Sequence, residues 1–472
     1  MSRVPPFTVQ DIVRATQGAL VAGDLGIPVT GVSIDSRSLG VGEAFFAIHG
    51  HRLDGHAFLG EAAARGAACL VVHTLPDEPP ANVPLVLVEE TTRALGALGA
   101  WHRRRFSIPV VAVTGSNGKT TTKELAAGVL GTRWNVLRPE RSFNNQWGLP
   151  LTLLRIGPEH QAVVIEIGTN ARGEIATLAA IASPTVAVVT TVAAVHTEFL
   201  GSLEGVREEK VALVRALDAD GIAVLNADDP RVAGMAADTH ARVVTYGRAA
   251  RADVRVIGEV IDDEHGLTLT IEAGGARQPV TLALAGRHNV TNALAAAATG
   301  IALGLSLAEV AQGLGGVAPV AGRCVWRQAG DVTILDDTYN ASPVSVKAGL
   351  ETVAARRQGR RVIAVLGDML ELGEISDDAH REVGRHVAAL PADELIGLGR
   401  GMQVAVEAAR EAGLAEARAF TTFEDTVAHL LKRLTAGDLV LVKGSRGMRM
   451  ERVVDALVAR LARSGRERSD GE

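Results

Sequence analysis

An apolar run, Val110–Val113, leads directly into Thr114-Gly115-Ser116-Asn117-Gly118-Lys119-Thr120-Thr121. Glycines let successive backbone amides turn inward on one point, and a following helix adds the positive end of its dipole, so the segment suits a chain of phosphates. Lys119 supplies a point charge for the terminal phosphates, and the Thr120 hydroxyl can be placed on Mg²⁺. A full phosphate loop of the common NTPase type would need glycine at position 113, where this chain has Val113. The loop is therefore a shortened variant. Gly-Lys-Thr by itself is plentiful, but here it stands between a buried strand and a helix. That context makes Gly115, Ser116, Asn117, Gly118, Lys119, Thr120 and Thr121 the candidate nucleotide-binding residues.

Other chemically capable side chains say less in isolation. Glu166, ending an apolar run, reads as a hydrogen-bonded strand-edge carboxylate, and His196 reads as a satisfied core histidine. Lys210, beside Glu208 and Glu209 on a helical stretch, reads as a surface ion-pair partner of little energetic value. Arg103-Arg104-Arg105 is a local basic cluster in a chain of net charge −6, and reads as a solvated helix end or linker. The negative balance argues against a nucleic-acid binder. Cys69 and Cys324 supply neither a disulfide framework nor a metal-ligand spacing, and read as small core residues in a reducing compartment. Met1–Pro6 lacks the apolar run of a signal peptide, and Ala293–Ala298 is too short to span a bilayer. A cytoplasmic protein is expected.

These residues need a scaffold, and 472 residues correspond to about three domains. The expected divisions are 1–106, 107–318 and 319–472. In the first, Gln10–Leu20 reads as a helix and Ala44–Ile48, Ala68–Val72 and Leu85–Val88 as strands. In the second, Val110–Val113, Ala162–Ile167, Thr185–Val189 and Ile222–Leu225 are short apolar runs separated by helical stretches, the pattern of a doubly wound α/β sheet. Strict alternation between Ala252 and Leu284 predicts a small antiparallel sheet attached to that domain. The third block is again α/β, with strands at Val332–Leu335, Val362–Leu366, Glu394–Leu398 and Leu439–Val442. Gly397–Gly401 is a poor dinucleotide fingerprint and reads as a turn. The polar tail after Ala462 reads as disordered.

The loop Val113–Glu124 (VTGSNGKTTTKE) resembles the phosphate loop of the Mur ligase family, which includes folylpolyglutamate synthetase. The resemblance continues in the family's order through nearly the whole chain: Ser142–Leu154, Val163–Ile175, His196–Lys210, Gly286–Ala296, Gly322-Arg323, Asp336–Pro343, Gly367–Gly373 and Val440–Gly447. The last three (DDTYNASP, GDMLELG, VLVKGSRG) resemble in particular the members that add D-alanyl-D-alanine. Ser33–Phe58 resembles the part that holds the UDP end of the precursor, pointing to Ser36 and Arg37; Asn144 and Asn145 are further substrate-binding candidates. The implied fold is the three-domain Mur architecture, with a central P-loop doubly wound parallel sheet, an N-terminal α/β substrate domain and a C-terminal Rossmann-like domain. The implied reaction joins D-alanyl-D-alanine to UDP-N-acetylmuramoyl-tripeptide through an acyl phosphate made with ATP. That reaction belongs to peptidoglycan precursor synthesis, and the enzyme is expected to be a monomer.

By the same resemblance Thr120 and Glu166 hold one Mg²⁺, and His196 helps hold a second. Lys210 is carbamylated by CO₂ and becomes a ligand of that second ion. Asn289 and Asn292 contact the adenine region, Arg323 reaches the γ-phosphate, and Asp337 and Asn340 lie where the third domain closes over the nucleotide. The chain departs from the family pattern at Thr190-Thr191-Val192-Ala193, where Thr-Asn-Ile-Gly is usual, at Ala212, where glutamate is common, and at Cys324, where a larger apolar residue is usual. The alternatives within the family are folylpolyglutamate synthetase and the ligase adding the third peptide residue; the Asp-Asn-Pro-Arg stretch expected of the latter is absent. A nucleotide-sensing scaffold without turnover is the alternative from another class. Retention of Lys119, Glu166, His196, Lys210 and Arg323 together argues against it.

Overall fold

Short runs of Val, Ile, Leu and Ala with no alternation bury both faces of a strand, which places them inside a parallel sheet rather than at a half-wet surface. The computed structural model describes residues 7–50, 53–139, 143–195, 197–263 and 265–469, without side chains for 462–469. Its largest sheet has nine strands in the order Ala276–Leu282, Gly266–Ala273, Val254–Asp263, Arg242–Gly247, Ile222–Asn226, Val186–Val189, Val110–Thr114, Ala162–Glu166, Val136–Leu137. The strand Val110–Thr114 lies between Val186–Val189 and Ala162–Glu166, both parallel to it. Its side chains alternate between two cores. Val111 and Val113 face the helices Lys119–Leu130 and Asn289–Ala302, while Val110 and Ala112 face Ile175 and Leu178. The order reverses at this strand, and the crevice at its C-terminal end is where such sheets bind ligands.

The alternating segment after Ala252 is not a separate sheet. Val254–Asp263 pairs in parallel with Arg242–Gly247, so the three antiparallel strands extend the nine-stranded sheet. A second sheet of six strands has the order Val325–Ala329, Val332–Asp337, Leu439–Lys443, Val362–Gly367, Glu394–Leu398, Ala417–Phe420, antiparallel only at its first pair. A third has five: Ala19–Ala22, Leu85–Leu87, Cys69–Val72, Glu43–Phe46, Gly31–Ser33.

Three local expectations are corrected. The first helix covers Val9–Thr16, not Gln10–Leu20: Gln17 adopts the left-handed conformation and Leu20 pairs in a strand with Val86. Arg103 is not solvated. It is buried and donates to the carbonyls of Phe106, Ile108, Ala182 and Ser183, tying the helix Thr91–Arg103 to the central sheet's flank. The polar tail does not begin at Ala462, because the helix Glu451–Ser469 continues through it. Arginine and glutamate are good helix formers, and they carry on a helix already anchored by Val453, Val454 and Leu457. Both cysteines are buried, as expected of small core residues.

Candidate active site

The strand Val110–Thr114 ends at the loop Gly115–Gly118, and the helix Lys119–Leu130 begins at once. Two glycines have no substitute here. Gly115 has φ +146° and a Cβ there would lie 1.8 Å from Thr190 Oγ1; Gly118 has φ +81° and a Cβ would lie 2.2 Å from Asn292 Oδ1. Thr190 and Asn292 therefore form the walls that set the loop's curvature. Thr190 Oγ1 donates to the Asn117 carbonyl at 2.6 Å, and Ser116 N donates to the Thr191 carbonyl at 2.8 Å. Ser116 Oγ accepts from Ala193 N at 2.8 Å, and Asn117 N reaches Thr191 Oγ1 at 3.3 Å. The stretch 190–193, notable in sequence only as a departure, is thus a strap for the loop. It is anchored from behind by Asn226 on the Thr190 carbonyl and by Asp229 on Val192 N.

Inside this frame Lys119 folds back, its Nζ donating to the Gly115 carbonyl at 2.8 Å. Burial holds its pKa below the usual lysine value; Glu166 opposes that shift and Arg323 adds to it. Thr120 Oγ1 is 2.7 Å from Glu166 Oε2, and Asn144 Nδ2 donates to Glu166 Oε1 at 2.8 Å. Arg323, from the loop before the six-stranded sheet, donates through Nη2 to Thr120 Oγ1 at 2.7 Å. Its guanidinium lies over the Tyr339 ring, 4.1 Å from the centroid. Ser342 Oγ donates to Asn117 Oδ1 at 3.0 Å, a second contact from the same side.

Lys210 is not a surface residue; it is 2% exposed on the helix Leu203–Arg215. Burial first, and then the charge of Lys119, push its pKa down to about 7, with Glu209 opposing. Glu209 is spent elsewhere, accepting from Gly173 N and Ile175 N, both at 2.7 Å, at the start of the helix Glu174–Ala182. Glu208 pairs with Arg207 and Arg215. Among the described residues no ion pair of Lys210 competes with a role at the phosphate loop.

The remaining sequence candidates divide. His196 lies outside the described residues. Asn289 and Asn292 are buried behind the loop: Asn292 Nδ2 donates to Asn289 Oδ1 at 2.8 Å, and Asn289 Nδ2 donates to the Ala285 carbonyl at 2.7 Å. Asp337 binds Lys443 Nζ at 2.6 Å, and Asn340 Oδ1 accepts from Ala341 N at 2.9 Å. Asn145 caps the helix Gly148–Leu153 by accepting from Gly148 N at 2.9 Å. Thr121 lies in the first turn after the loop. Ser36 and Arg37 line a cleft of ≈ 1670 Å³ whose wall also includes Phe45, Phe143, Trp147 and Arg155. Arg37 is held by Asp35 at 2.7 Å, and Ser36 Oγ donates to Glu61 at 2.9 Å. Sequence reasoning missed Thr190, Tyr339, Ser342 and Lys443 as site residues. Three of the four lie in the segments Asp336–Pro343 and Val440–Gly447, so only the partner loops were needed to find them.

Three family models match the chain in order: the "Mur ligase family, catalytic domain" over 28–103, the "Mur ligase middle domain" over 113–300 and the "Mur ligase, glutamate ligase domain" over 322–446. The chain is 36% identical to the UDP-N-acetylmuramoyl-tripeptide--D-alanyl-D-alanine ligase of Escherichia coli (strain K12), covering 95% of this chain and 98% of that one. It is 33% identical to the Bacillus subtilis (strain 168) protein of the same name, with 96% and 98% covered. The chain belongs to the Mur ligase family. Among solved Mur ligases, MurF from Acinetobacter baumannii superposes with a TM-score of 0.88 at 30% identity, covering 96% of this chain and 99% of that one. MurF from Thermotoga maritima in complex with ADP gives 0.80 at 29% identity, covering 92% and 98%. The three-domain Mur architecture is therefore the architecture of this chain, and ATP is the nucleotide a Mur ligase uses. No helix among the described residues is long and apolar enough to cross a membrane.

Among those residues no cluster of three or more His, Cys, Asp or Glu is arranged to hold a metal ion. The Thr120 hydroxyl and the Glu166 carboxylate, buried and in contact, nonetheless give the oxygen-only donor set that Mg²⁺ prefers. Mg²⁺ takes few protein ligands when phosphate oxygens share the ion, so the residues present fit it.

Proposed function

We propose that this chain joins D-alanyl-D-alanine to UDP-N-acetylmuramoyl-tripeptide with ATP, forming UDP-N-acetylmuramoyl-pentapeptide, ADP and phosphate in the cytoplasm. The observation that carries the reading is the meeting of Lys119, Thr120, Glu166 and Arg323 at the C-terminal ends of two neighbouring parallel strands. The tripeptide's terminal carboxylate oxygen attacks the γ-phosphorus, the bond to the bridging β,γ-oxygen breaks, and ADP leaves with an acyl phosphate formed. The dipeptide amine then attacks the acyl carbon; the carbon–oxygen bond to phosphate breaks, and the amine proton goes to solvent. The first step brings two anions together, so its barrier is electrostatic. Lys119 and Arg323 supply the positive charge that offsets that repulsion. When bound by Thr120 and Glu166, Mg²⁺ supplies further positive charge to the phosphate oxygens.

Lys210 would serve as a carbamate: its neutral amine adds to CO₂ and releases a proton, and the resulting carboxylate-like oxygens, with His196, would hold a second Mg²⁺ that supplies further positive charge. The depressed pKa supports this, since only the unprotonated amine reacts. The cleft at Ser36 and Arg37 receives the UDP end of the precursor, its size suited to a nucleotide sugar.

The test is a matrix of phosphate-release assays with ATP. UDP-N-acetylmuramoyl-tripeptides ending in meso-diaminopimelate or L-lysine are each offered D-alanyl-D-alanine, D-alanine or L-glutamate. Release with the dipeptide alone is expected; release with L-glutamate alone, or with no acceptor dependence, would overturn the reading.

A further inference from the structure

The three segments that resemble the D-alanyl-D-alanine-adding members, Asp336–Pro343, Gly367–Gly373 and Val440–Gly447, converge at the C-terminal ends of three adjacent inner strands of the six-stranded sheet. Lys443 Nζ bonds Asp337 Oδ2 and the Asn340 carbonyl at 2.6 and 2.7 Å. Leu370 N donates to Ser445 Oγ at 2.9 Å, and Arg446 N donates to Asn340 Oδ1 at 3.3 Å. Lys443 and Ser445 are buried and engaged. The exposed groups of the three segments include Leu370, 44% exposed, Asn340 and Glu371, and Arg446, with its side chain 62% exposed, is their exposed cation. The Arg446 guanidinium lies 5.7 Å from the centroid of Tyr339, the ring that also carries Arg323. Arg323 in turn touches Thr120. Arg446 thus sits one aromatic side chain outward from the phosphate site.

We propose that Arg446 receives the terminal carboxylate of the acceptor dipeptide, with Leu370 as the apolar wall beside its methyl groups. The proposal rests on the ligase reaction proposed above. The dipeptide carries one anionic group, at the end opposite the attacking amine, and a planar guanidinium can donate two parallel N–H bonds to it. Two extended residues span about 7 Å, and Arg323 and Arg446 lie 4.1 and 5.7 Å from one and the same ring centroid. Arg446 now pairs with Glu451 at 3.0 Å. A pair with so exposed an arginine is worth little, so exchanging it for a substrate carboxylate costs little.

The purified enzyme, ATP and UDP-N-acetylmuramoyl-tripeptide are assayed with D-alanyl-D-alanine and with its C-terminal amide. Wild type disfavours the amide. In Arg446→Ala the KM for the dipeptide rises about tenfold or more, with the loss on KM rather than kcat and the KM for ATP unmoved. That variant treats acid and amide alike; Arg446→Lys keeps part of the preference, and Arg449→Ala, three residues away, keeps all of it. A wild-type preference for the acid surviving in Arg446→Ala, or vanishing instead in Arg449→Ala, overturns the assignment. No phosphate release by wild type with the dipeptide would overturn the ligase reading itself.

Discussion

A lysine ammonium loses most of its hydration on burial, and Lys210 shows the consequence in a pKa pushed down to about 7. The unfolded chain returns that amine to its ordinary value of 10.5. Between the two values the unfolded state binds more protons, so this group's penalty is fully present below pH 7 and is relieved as pH rises toward 10.5. In chelator and CO₂-depleted buffer, Lys210→Met should therefore melt above wild type at pH 6, by a margin that shrinks toward pH 10. A margin that grew with pH would contradict the burial of a protonated amine. In the assay, Lys210→Ala should lose most turnover and regain part of it with formate or acetate, which can occupy the vacated oxygen-donor position. Lys210→Arg should not respond, because its guanidinium fills the space with permanent charge. Lys119→Ala removes the charge at the terminal phosphate and should cost on the order of 10²–10³ in rate or more. A circular dichroism melt near that of wild type would show that the loss is chemical rather than structural.

The loop, its strap and the strand ends act as one element, and a hydroxyl on the strap is the part most open to test. Thr190→Ala removes the 2.6 Å bond to the Asn117 carbonyl and leaves a gap against Gly115. It should cost about 1–2 kcal/mol of stability and raise the KM for ATP, while Thr190→Ser, which keeps the hydroxyl, should restore both. Equal KM values for ATP in Thr190→Ala and wild type would remove the strap from nucleotide binding. At this scale the sequence was legible wherever burial dictated composition. Val110–Val113 and Glu394–Leu398 announce themselves as apolar runs, and the Gly-x-x-Gly-Lys-Thr spacing marks the loop between strand and helix. It was not legible where a polar residue serves a neighbour distant in sequence. Thr190 looks like an ordinary strand end until Gly115 is placed against it, and Arg103 looks solvated until four carbonyls surround it. The strand Val325–Ala329 was missed because Trp326, Arg327 and Gln328 at a sheet edge carry no apolar signature.

Among the described residues the contacts between the central and C-terminal parts of the molecule include several polar ones. Arg323 meets Thr120, Ser342 meets Asn117, Thr197 Oγ1 donates to the Leu372 carbonyl at 3.0 Å, and Arg356 bonds the Asp263 carbonyl. Interfaces of this character permit relative motion of domains by default. Two of these, at Thr120 and Asn117, fall on the phosphate loop and its helix. A nucleotide there would replace the Arg323–Thr120 bond with bonds from Arg323 to phosphate oxygens, which a charged guanidinium holds more strongly than a neutral hydroxyl. The nucleotide thus becomes part of the joint. Small-angle scattering should show the smallest radius of gyration with a non-hydrolysable ATP analogue, Mg²⁺ and the UDP-precursor together. Arg323→Ala should blunt that compaction and raise the KM for ATP, because its loss removes the side chain that spans both parts. A radius unchanged by saturating ligands in wild type would mean that the molecule is held closed by its own contacts. Compaction undiminished in Arg323→Ala would move the clasp from Arg323 to Ser342 and the segment Thr197–Leu200.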